Sequence, residues 1–538
     1  MFGGCRLDAK LPGFIASPEV MLGQFYAELM ALVPGWKQRL LADPQALPEL
    51  EREVQIQFIR GADLAVVGLI SWVMQQAAFD NVMDRVRRDS LTPLAPGRWR
   101  EVKVRLLGGL VMWVTSLYCQ ARGRADDLAD DSDERTAGLN LGLAAMSFAK
   151  GCSGELESQV ARQVALGPSI EFARSQLARD GVTLDEKAVR RIALQCGESL
   201  LTLRHHELDQ FRKGVLPVGT ELVGKQVSVQ IDGGRSRIRG DLQTRPVTTE
   251  LLDELGLPTQ DKAGRSRVVG KRTFEAPWRE PKLVTIFIHD AQGRMVKKTQ
   301  ATIEGTFAGP DALAELIAMH LHRLGAAQAK SITFVSDGAP CRGLLIELGD
   351  RIEMIKRLAK LECVVTHEVL DCCHATHHIS GALKALGLND AARLPLYREH
   401  RTLLRNGQWR RVVSELQDLA GDVPAEHAVW TEIAYIEKHG TAGRLSYPHF
   451  KGLGLPLGSG AIESSIRRVI NLRLKSNSTF WKETSAEAML QLRSQLLTDR
   501  WDERQTASRR LRSRAAPTTP TWTPRPTVSL EANPQSSA

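Results

Sequence analysis

Two aspartates close apolar, strand-like runs. Asp232 ends VSVQID (227–232) and Asp337 ends ITFVSD (332–337), and each precedes a glycine. A carboxylate at a strand end stands at the lip of a sheet, where open α/β folds bind ligands. An Asp before Gly is also an ordinary turn former, so neither aspartate alone specifies chemistry. A third acid changes the reading. In LPLGSGAIESSIRRVINLRLKS (455–476), Ile462, Ile466, Val469, Ile470 and Leu474 recur at helical spacing after a Pro- and Gly-rich lead, with Ser459 or Gly460 as the candidate N-cap. That spacing defines a buried helix face. At about 100° per residue, Glu463 falls between Ile470 and Leu474 inside the apolar arc, as does Arg473, while Arg467, Arg468 and Lys475 fall outside it. A carboxylate aimed into a core is costly unless paired or bound to metal. The plainer alternative is a first-turn Glu that complements the helix dipole and pairs with Arg467 at i+4. Three such carboxylates can hold two divalent ions about 4 Å apart, which clamp the attacking and leaving oxygens of a phosphodiester. Hard oxygen ligands suit Mg²⁺, with Mn²⁺ as a substitute, and the ions offset the mutual repulsion of the acids.

The elements that must position these residues are legible in outline. Residues 15–120 read as mostly helical, interrupted by SLTPLAPG and then by a hairpin at 99–118 with glycines at its centre. An acidic loop at 124–135 marks a boundary, so residues 1–125 form an N-terminal helical region with a small hairpin. Residues 126–220 form a helical array, either a helix-turn-helix type of DNA-binding module or a plain bundle. From 221 to 374 the order is three strands (227–232, 283–290, 294–305), a helix, the 330–337 strand, a helix, the 362–371 strand and the start of a further helix. That order is an α/β pattern with a mixed sheet. Residues 375–455 are helical, 456–510 carry the Glu463 helix and a C-terminal helix, and 511–538, rich in Pro, Thr and Ser, cannot support a core.

Composition is that of an ordinary globular protein. The net charge of +9 over 538 residues permits an anionic partner but does not require one. The eight cysteines form no CxxC pair, which fits reduced thiols in a cytoplasmic protein. No basic start leads into an apolar run, and the apolar stretch at 106–119 is too short to span a bilayer. No membrane association is expected.

Basic runs lie beside two of the three acids. GRSRIRG supplies Arg235, Arg237 and Arg239 next to Asp232, and RRVINLRLK supplies Arg467, Arg468, Arg473 and Lys475 next to Glu463. Each run alone reads as a solvated face, but flanking the acids they suit phosphate contact. Trp481, in the loop-like SNSTFW, is a candidate for stacking on an unpaired base. In LDCCHATHH, Cys372, Cys373, His374, His377 and His378 crowd together, yet adjacent cysteines with HxxH do not make a closed tetrahedral set, and zinc is not expected.

Taken in order, IDGGRSRIRG, FVSDGAP, LDCCHATHHI and GSGAIESSIRRVINLRLKSNSTFW resemble the ISKra-type group of bacterial insertion-sequence DDE transposases. The resemblance covers residues 225 to about 500. It implies an RNase H-like α/β core with a mixed sheet and a helical insertion domain (375–455), preceded by mostly helical N-terminal modules. It implies catalytic, Mg²⁺-holding Asp232, Asp337 and Glu463. Asp371 and His374 form a DxxH signature that would sit near the scissile phosphate or support the site. The partners implied are terminal inverted repeats, target DNA and a second copy of the chain or a larger assembly, in the bacterial cytoplasm at the nucleoid. The relatives carry CxxC pairs in the N-terminal hairpin, where only Cys119 and Cys152 are near here, so a zinc ribbon is not expected and the hairpin reads as a degenerate remnant or as one held by packing alone. The rival readings are an RNase H-like metal-dependent nuclease without strand transfer and a catalytically silent DNA-binding descendant.

Overall fold

The computed structural model describes residues 5–6, 17–91, 93–120, 138–149, 151–240, 243–245, 271–273, 275–338, 348–475 and 479–513. The acidic loop at 124–135, most of the basic run at 264–272 and the tail from 515 lie outside them.

The N-terminal region begins with two long helices, α1 (Pro18–Ala42) and α2 (Leu47–Met74), followed by α3 (Ala77–Arg88). Ser17 caps α1 by accepting from the Val20 amide. The hairpin forms as expected from β1 (Arg98–Arg105) and β2 (Val111–Gln120), paired antiparallel from Arg98↔Tyr118 to Arg105↔Val111. Its glycine turn is fixed by Asp63 of α2, buried, whose carboxylate accepts the amides of Gly108 and Leu110 at 2.9 Å each. The strand Gly138–Asn140 adds to β2, tying residues just past the expected boundary at 125 back to the hairpin sheet.

The helical array consists of α4 (Leu141–Ala145), α5 (Gly154–Leu166), α6 (Ile170–Arg179) and α7 (Glu186–Arg212). Side-chain caps at Ser153, Ser169 and Asp185 start the last three. The array does not stand apart as a free module. Val160, Ala161, Val164, Ile192 and Leu200 share one core with sheet residues Leu283 and Ile303 and with Ile462, Ile470 and Leu490 further on.

The central sheet has five strands: β3 (Gln226–Gly233), β4 (Lys282–Ile288), β5 (Thr302–Thr306), β6 (Ser331–Ser336) and β7 (Val365–Leu370), in the spatial order β5-β4-β3-β6-β7. β4 runs antiparallel to both β3 and β5, whereas β6 is parallel to both β3 and β7. Helical crossovers, α8 (Pro310–Arg323) and α9 (Leu348–Leu358), make the parallel pairs reachable. The third strand is shorter than its sequence pattern predicts. Asp290 accepts the amides of Gln292 and Arg294, so the chain turns there; Met295 makes an isolated bridge to His289, and the regular ladder begins only at Thr302.

Strand alternation sorts the sheet into two faces. Val227, Val229, Ile332 and Phe334 meet Leu313 and Ile317 of α8 and Ile352 and Ile355 of α9. On the opposite face, Val335 and Val369 meet a bundle of α10 (Cys372–Ala385), α11 (Asp390–Arg405), α12 (Trp409–Ala420), α13 (Ala428–Thr441) and α14 (Tyr447–Gly452). This stretch between Asp371 and Gly460 is wholly helical among its regular elements, as the sequence pattern predicts. The chain then returns to the sheet through α15 (Gly460–Ile466) and ends in α16 (Glu483–Leu496) and α17 (Trp501–Arg512).

The helix expected over 455–476 is altered in one decisive way. After α15 the chain widens into a π turn, Arg467–Asn471, with Leu472 N–H donating to the Arg467 carbonyl and Lys475 N–H to that of Ile470. Residues in a wider turn lag behind the 100° step, so Ile470 and Leu474 fall back toward the middle of the buried face. Glu463 is left outside that face and is exposed, not directed into the core.

Candidate active site at the strand ends

Register alone aligns three carboxylates. Ser336 of β6 stands opposite Ile231 of β3 on one side and Leu370 of β7 on the other, and all three strands run the same way. One residue further along, Asp232, Asp337 and Asp371 therefore form a row across the carboxyl ends of three adjacent parallel strands. The ladder still holds there: Asp371 N–H donates to the Ser336 carbonyl at 2.9 Å. By alternation, Ser228, Gln230 and Asp232 project from the face opposite α8 and α9. Gln230 fixes what lies over that face. Its amide nitrogen donates to the Gly458 carbonyl and its oxygen accepts from Ile462 N–H, both at 3.1 Å, pinning the start of α15 above the row.

Asp371 is fully buried and already occupied. It caps α10 by accepting the Cys373 amide at 2.5 Å, accepts the Ser459 amide at 3.1 Å and the Ser459 hydroxyl, and lies 3.7 Å from His374 Nδ1. Burial pushes this carboxyl up, but His374, Ser459 and the Cys373 amide outweigh it and hold the group at about 2. His374 in turn is raised above the usual imidazole value, first by Asp371, against burial, and then by the charges of Asp337 and Asp232. Asp232 goes the other way. Burial pushes it up to about 6, the Gly233 amide at 2.6 Å resists, and the like charge of Asp337 adds to the rise. Ser459 reaches across to the remaining acid: its hydroxyl oxygen is 3.0 Å from Glu463 Oε1. One hydroxyl thus lies between the carboxylates of Asp371 and Glu463. Ser459 occupies the N-cap position of α15, but its side chain makes these contacts instead of capping the helix.

A cleft opens beside the row, lined by Asp232, Asp337, Lys282, Ser336 and Arg351 over an apolar floor from α8 and α9. Among the described residues, no three His, Cys, Asp or Glu side chains are close enough together to form a ready-made metal site.

The helical stretch reaches into this site. Tyr435 of α13 donates its hydroxyl to the Asp337 carbonyl, and its ring stacks on His378 with centroids 3.5 Å apart. Glu432 holds His378 Nδ1 at 2.5 Å. His439 packs so tightly on Gly338 that a Cβ there would lie 2.8 Å from the ring, and Gly338 has φ +62. The Asp337-Gly338 turn is therefore clamped by α13. His378 is thus committed to Glu432 and Tyr435.

The basic candidates divide. Arg235, Arg467, Arg468 and Lys475 are exposed. Arg237 lies 5.0 Å over the Trp278 ring and 5.8 Å over Phe480. The strand-end segment pairs with the Trp481 loop, Arg239 N–H donating to the Trp481 carbonyl at 2.7 Å. Arg473 is a correction: it is buried, donates to the Val164 carbonyl at 3.3 Å and lies 5.3 Å over the Trp481 ring, so it is a core arginine out of reach of phosphate. Trp481 is corrected with it. Its ring packs against the main core, while Trp278 and Phe480 are the exposed rings. Sequence reasoning missed Gln230, Ser459 and Tyr435. The only signal for Gln230 was a polar residue inside a β-branched strand, two positions before Asp232 and hence on the same face.

No family model matches this chain, and no curated protein does. A chain of the solved structure titled "Drosophila P element transposase strand transfer complex" is similar at a TM-score of 0.30 and 9% identity, the match covering 64% of this chain and 91% of that one. A likeness that loose carries no functional conclusion.

Proposed function

We propose that this chain is a DDE transposase of a bacterial insertion sequence, with an RNase H-like core, that cleaves element ends and transfers them to target DNA. The observation that supports this reading most is the row of Asp232, Asp337 and Asp371 at adjacent parallel strand ends, with Glu463 joined to it through Ser459. Asp232 and Asp337 suit a hard divalent cation: they stand side by side, and burial with the like charge of Asp337 outweighs the Gly233 amide, His374 and Lys282 in opposing ionisation of Asp232. They would hold Mg²⁺ (or Mn²⁺) with Glu463 as the further ligand. Bound Mg²⁺ ions would activate water and neutralise the charge developing on a phosphodiester.

The chain's own residues have separate tasks. Asp371 has its oxygens taken up by amides and a hydroxyl, so it positions His374 and Ser459 and is not a ligand. His374, whose imidazole Asp371 and the neighbouring aspartates raise above its ordinary value, would add positive charge beside the phosphate when protonated. Arg235, Arg467, Arg468 and Lys475 lie exposed beside the acids for backbone phosphates. The expected DNA partners are the terminal inverted repeats and the target.

Asp232→Ala, Asp337→Ala and Glu463→Ala should each cut strand cleavage and joining of pre-nicked ends by on the order of 10³-fold, with end binding retained in a mobility-shift assay. Full activity in one variant removes that residue from the set. Wild-type cleavage without joining would favour the nuclease reading, and a protein that cuts nothing with Mg²⁺ or Mn²⁺ would leave only the silent descendant.

A further inference from the structure

We propose that α1 and α2 form a self-association surface, pairing with the same two helices of a second copy of this chain. The feature that requires a partner is α2. The helix from Pro44 to Met74 has a mean hydropathy high enough for a membrane span over 18 residues, yet only 28% of that window is buried. Its open side is ordered. Leu47, Glu51, Val54, Phe58, Ala62, Ala65, Leu69 and Trp72 follow steps of four and three, and Glu51 is the one charge among them. Steps of four and three are the spacing of a helix–helix seam. Leu47, Phe58, Leu69 and Trp72 are exposed, and Tyr26 and Met30 continue the apolar surface on α1.

The surface is built, not frayed. Phe25 meets Phe58 edge-on at 6.3 Å, Glu53 accepts Trp36 Nε1 at 3.0 Å and Arg39 at 2.6 Å, and Arg60 pairs with Glu28 at 3.3 Å. These contacts lock α1 to α2 and leave the seam facing outward.

Size and charge select the occupant. Tyr26, Phe58 and Trp72 leave 63%, 57% and 47% of their surface open. With about 150–250 Å² per ring, the three alone offer on the order of 300 Å². The leucines, Met30 and the alanines of the same face carry the total toward the ~800 Å² per partner of a stable interface. A twofold pairing sets each patch against itself, and a patch with one charge can do so without like-charge contact. A bilayer is disfavoured by the other side of α2, where buried Asp63 binds the hairpin amides of Gly108 and Leu110 and would have to give them up on insertion. Two α1–α2 pairs make a four-helix bundle, the arrangement that buries two apolar helix faces at once. This inference is independent of the proposed chemistry: it concerns assembly without DNA or metal.

The test is sedimentation equilibrium on the full chain without DNA, together with Phe58→Glu and Leu69→Glu, both at exposed positions, and thiol cross-linking of Ala62→Cys. The expected result is a wild-type dimer at micromolar concentration, at least a tenfold weaker dimer in each charge variant, and a covalent dimer from the cysteine variant under mild oxidation that the wild type does not give. A monomeric wild type overturns the proposal. So does a dimer that both charge variants leave unchanged, or co-sedimentation of the chain with phosphatidylcholine–phosphatidylglycerol vesicles that the charge variants abolish. If a charge variant does not fold, the cross-link decides: no covalent dimer from Ala62→Cys overturns the pairing.

Discussion

The two ends of the central sheet handle buried acids in opposite ways. At the β5 edge, Glu304 is fully buried but accepts from Arg204 at 3.3 Å and from His320 Nε2 at 3.2 Å, and Arg204 also meets Glu487 at 2.8 Å. Nearby, Glu207 takes two bonds from Arg504, at 2.5 and 2.8 Å. Burial pushes Glu304 up, yet His320 and Arg204 bring it down to about 2. At the β3 end, burial and the like charge of Asp337 raise Asp232 to about 6, against the Gly233 amide, His374 and Lys282. The first cluster is neutralised by the chain itself and joins α7, β5, α8, α16 and α17. In the second, burial and a like charge outweigh the groups that favour ionised Asp232. Ionised Asp232 therefore costs stability, as the proposed cation site would lead one to expect.

Stability measurements can break this contrast. Glu304→Ala removes a charge partner from buried Arg204, leaving it Glu487, and takes the carboxylate from buried His320; it should cost about 3–5 kcal/mol in urea unfolding, and a cost under about 1 kcal/mol would mean the edge cluster does not hold the helices to the sheet. Ser459→Ala removes a hydroxyl from the buried carboxylate of Asp371 and should cost about 1.5–3 kcal/mol. Tyr435→Phe keeps the stacked ring but deletes the bond to the Asp337 carbonyl. It should weaken Mn²⁺ binding, measured by calorimetry without DNA, by about tenfold; unchanged binding would make the clamp from α13 purely structural.

Asp232→Asn should go the other way, raising stability at pH 7 by about 1 kcal/mol, since it removes a charge that burial opposes. The pH dependence separates the clusters by sign. Asp232 has a folded pKa of about 6 above its ordinary 3.8, so its favourable protonated form is lost, and stability falls, as pH rises from about 4 through 6. Glu304 has its pKa lowered from 4.5 to about 2, so its contribution is complete above 4.5 and lost as pH falls toward 2. Saturating Mg²⁺ should flatten the Asp232 limb and leave the Glu304 limb unchanged. An identical profile with and without Mg²⁺ would mean that the strand-end acids do not take the ion.

The sequence by itself determined the strand-end acids. A β-branched run that stops at Asp before Gly places its carboxylate at the sheet lip whatever else the chain does, because alternation and turn chemistry are local. The helical character of the stretch from 375 to 455 was legible for the same reason. The row itself was not, since it depends on the registers Ser336↔Ile231 and Ser336↔Leu370, which are set between strands far apart in the chain. Glu463 shows the limit most clearly. The helical wheel directed it inward, but a π turn driven by packing of Val469, Ile470 and Leu474 turned it out to solvent. Arg473 and Trp481 read as ligands for DNA because they are basic and aromatic, and tertiary packing paired them with each other. Gln230 and Ser459 showed only generic local signals, a polar residue within a strand and a candidate N-cap, and Tyr435 showed none. A polar side chain gains its role only when folding brings an unpaired donor or acceptor within about 3 Å, and only the tertiary structure decides that distance.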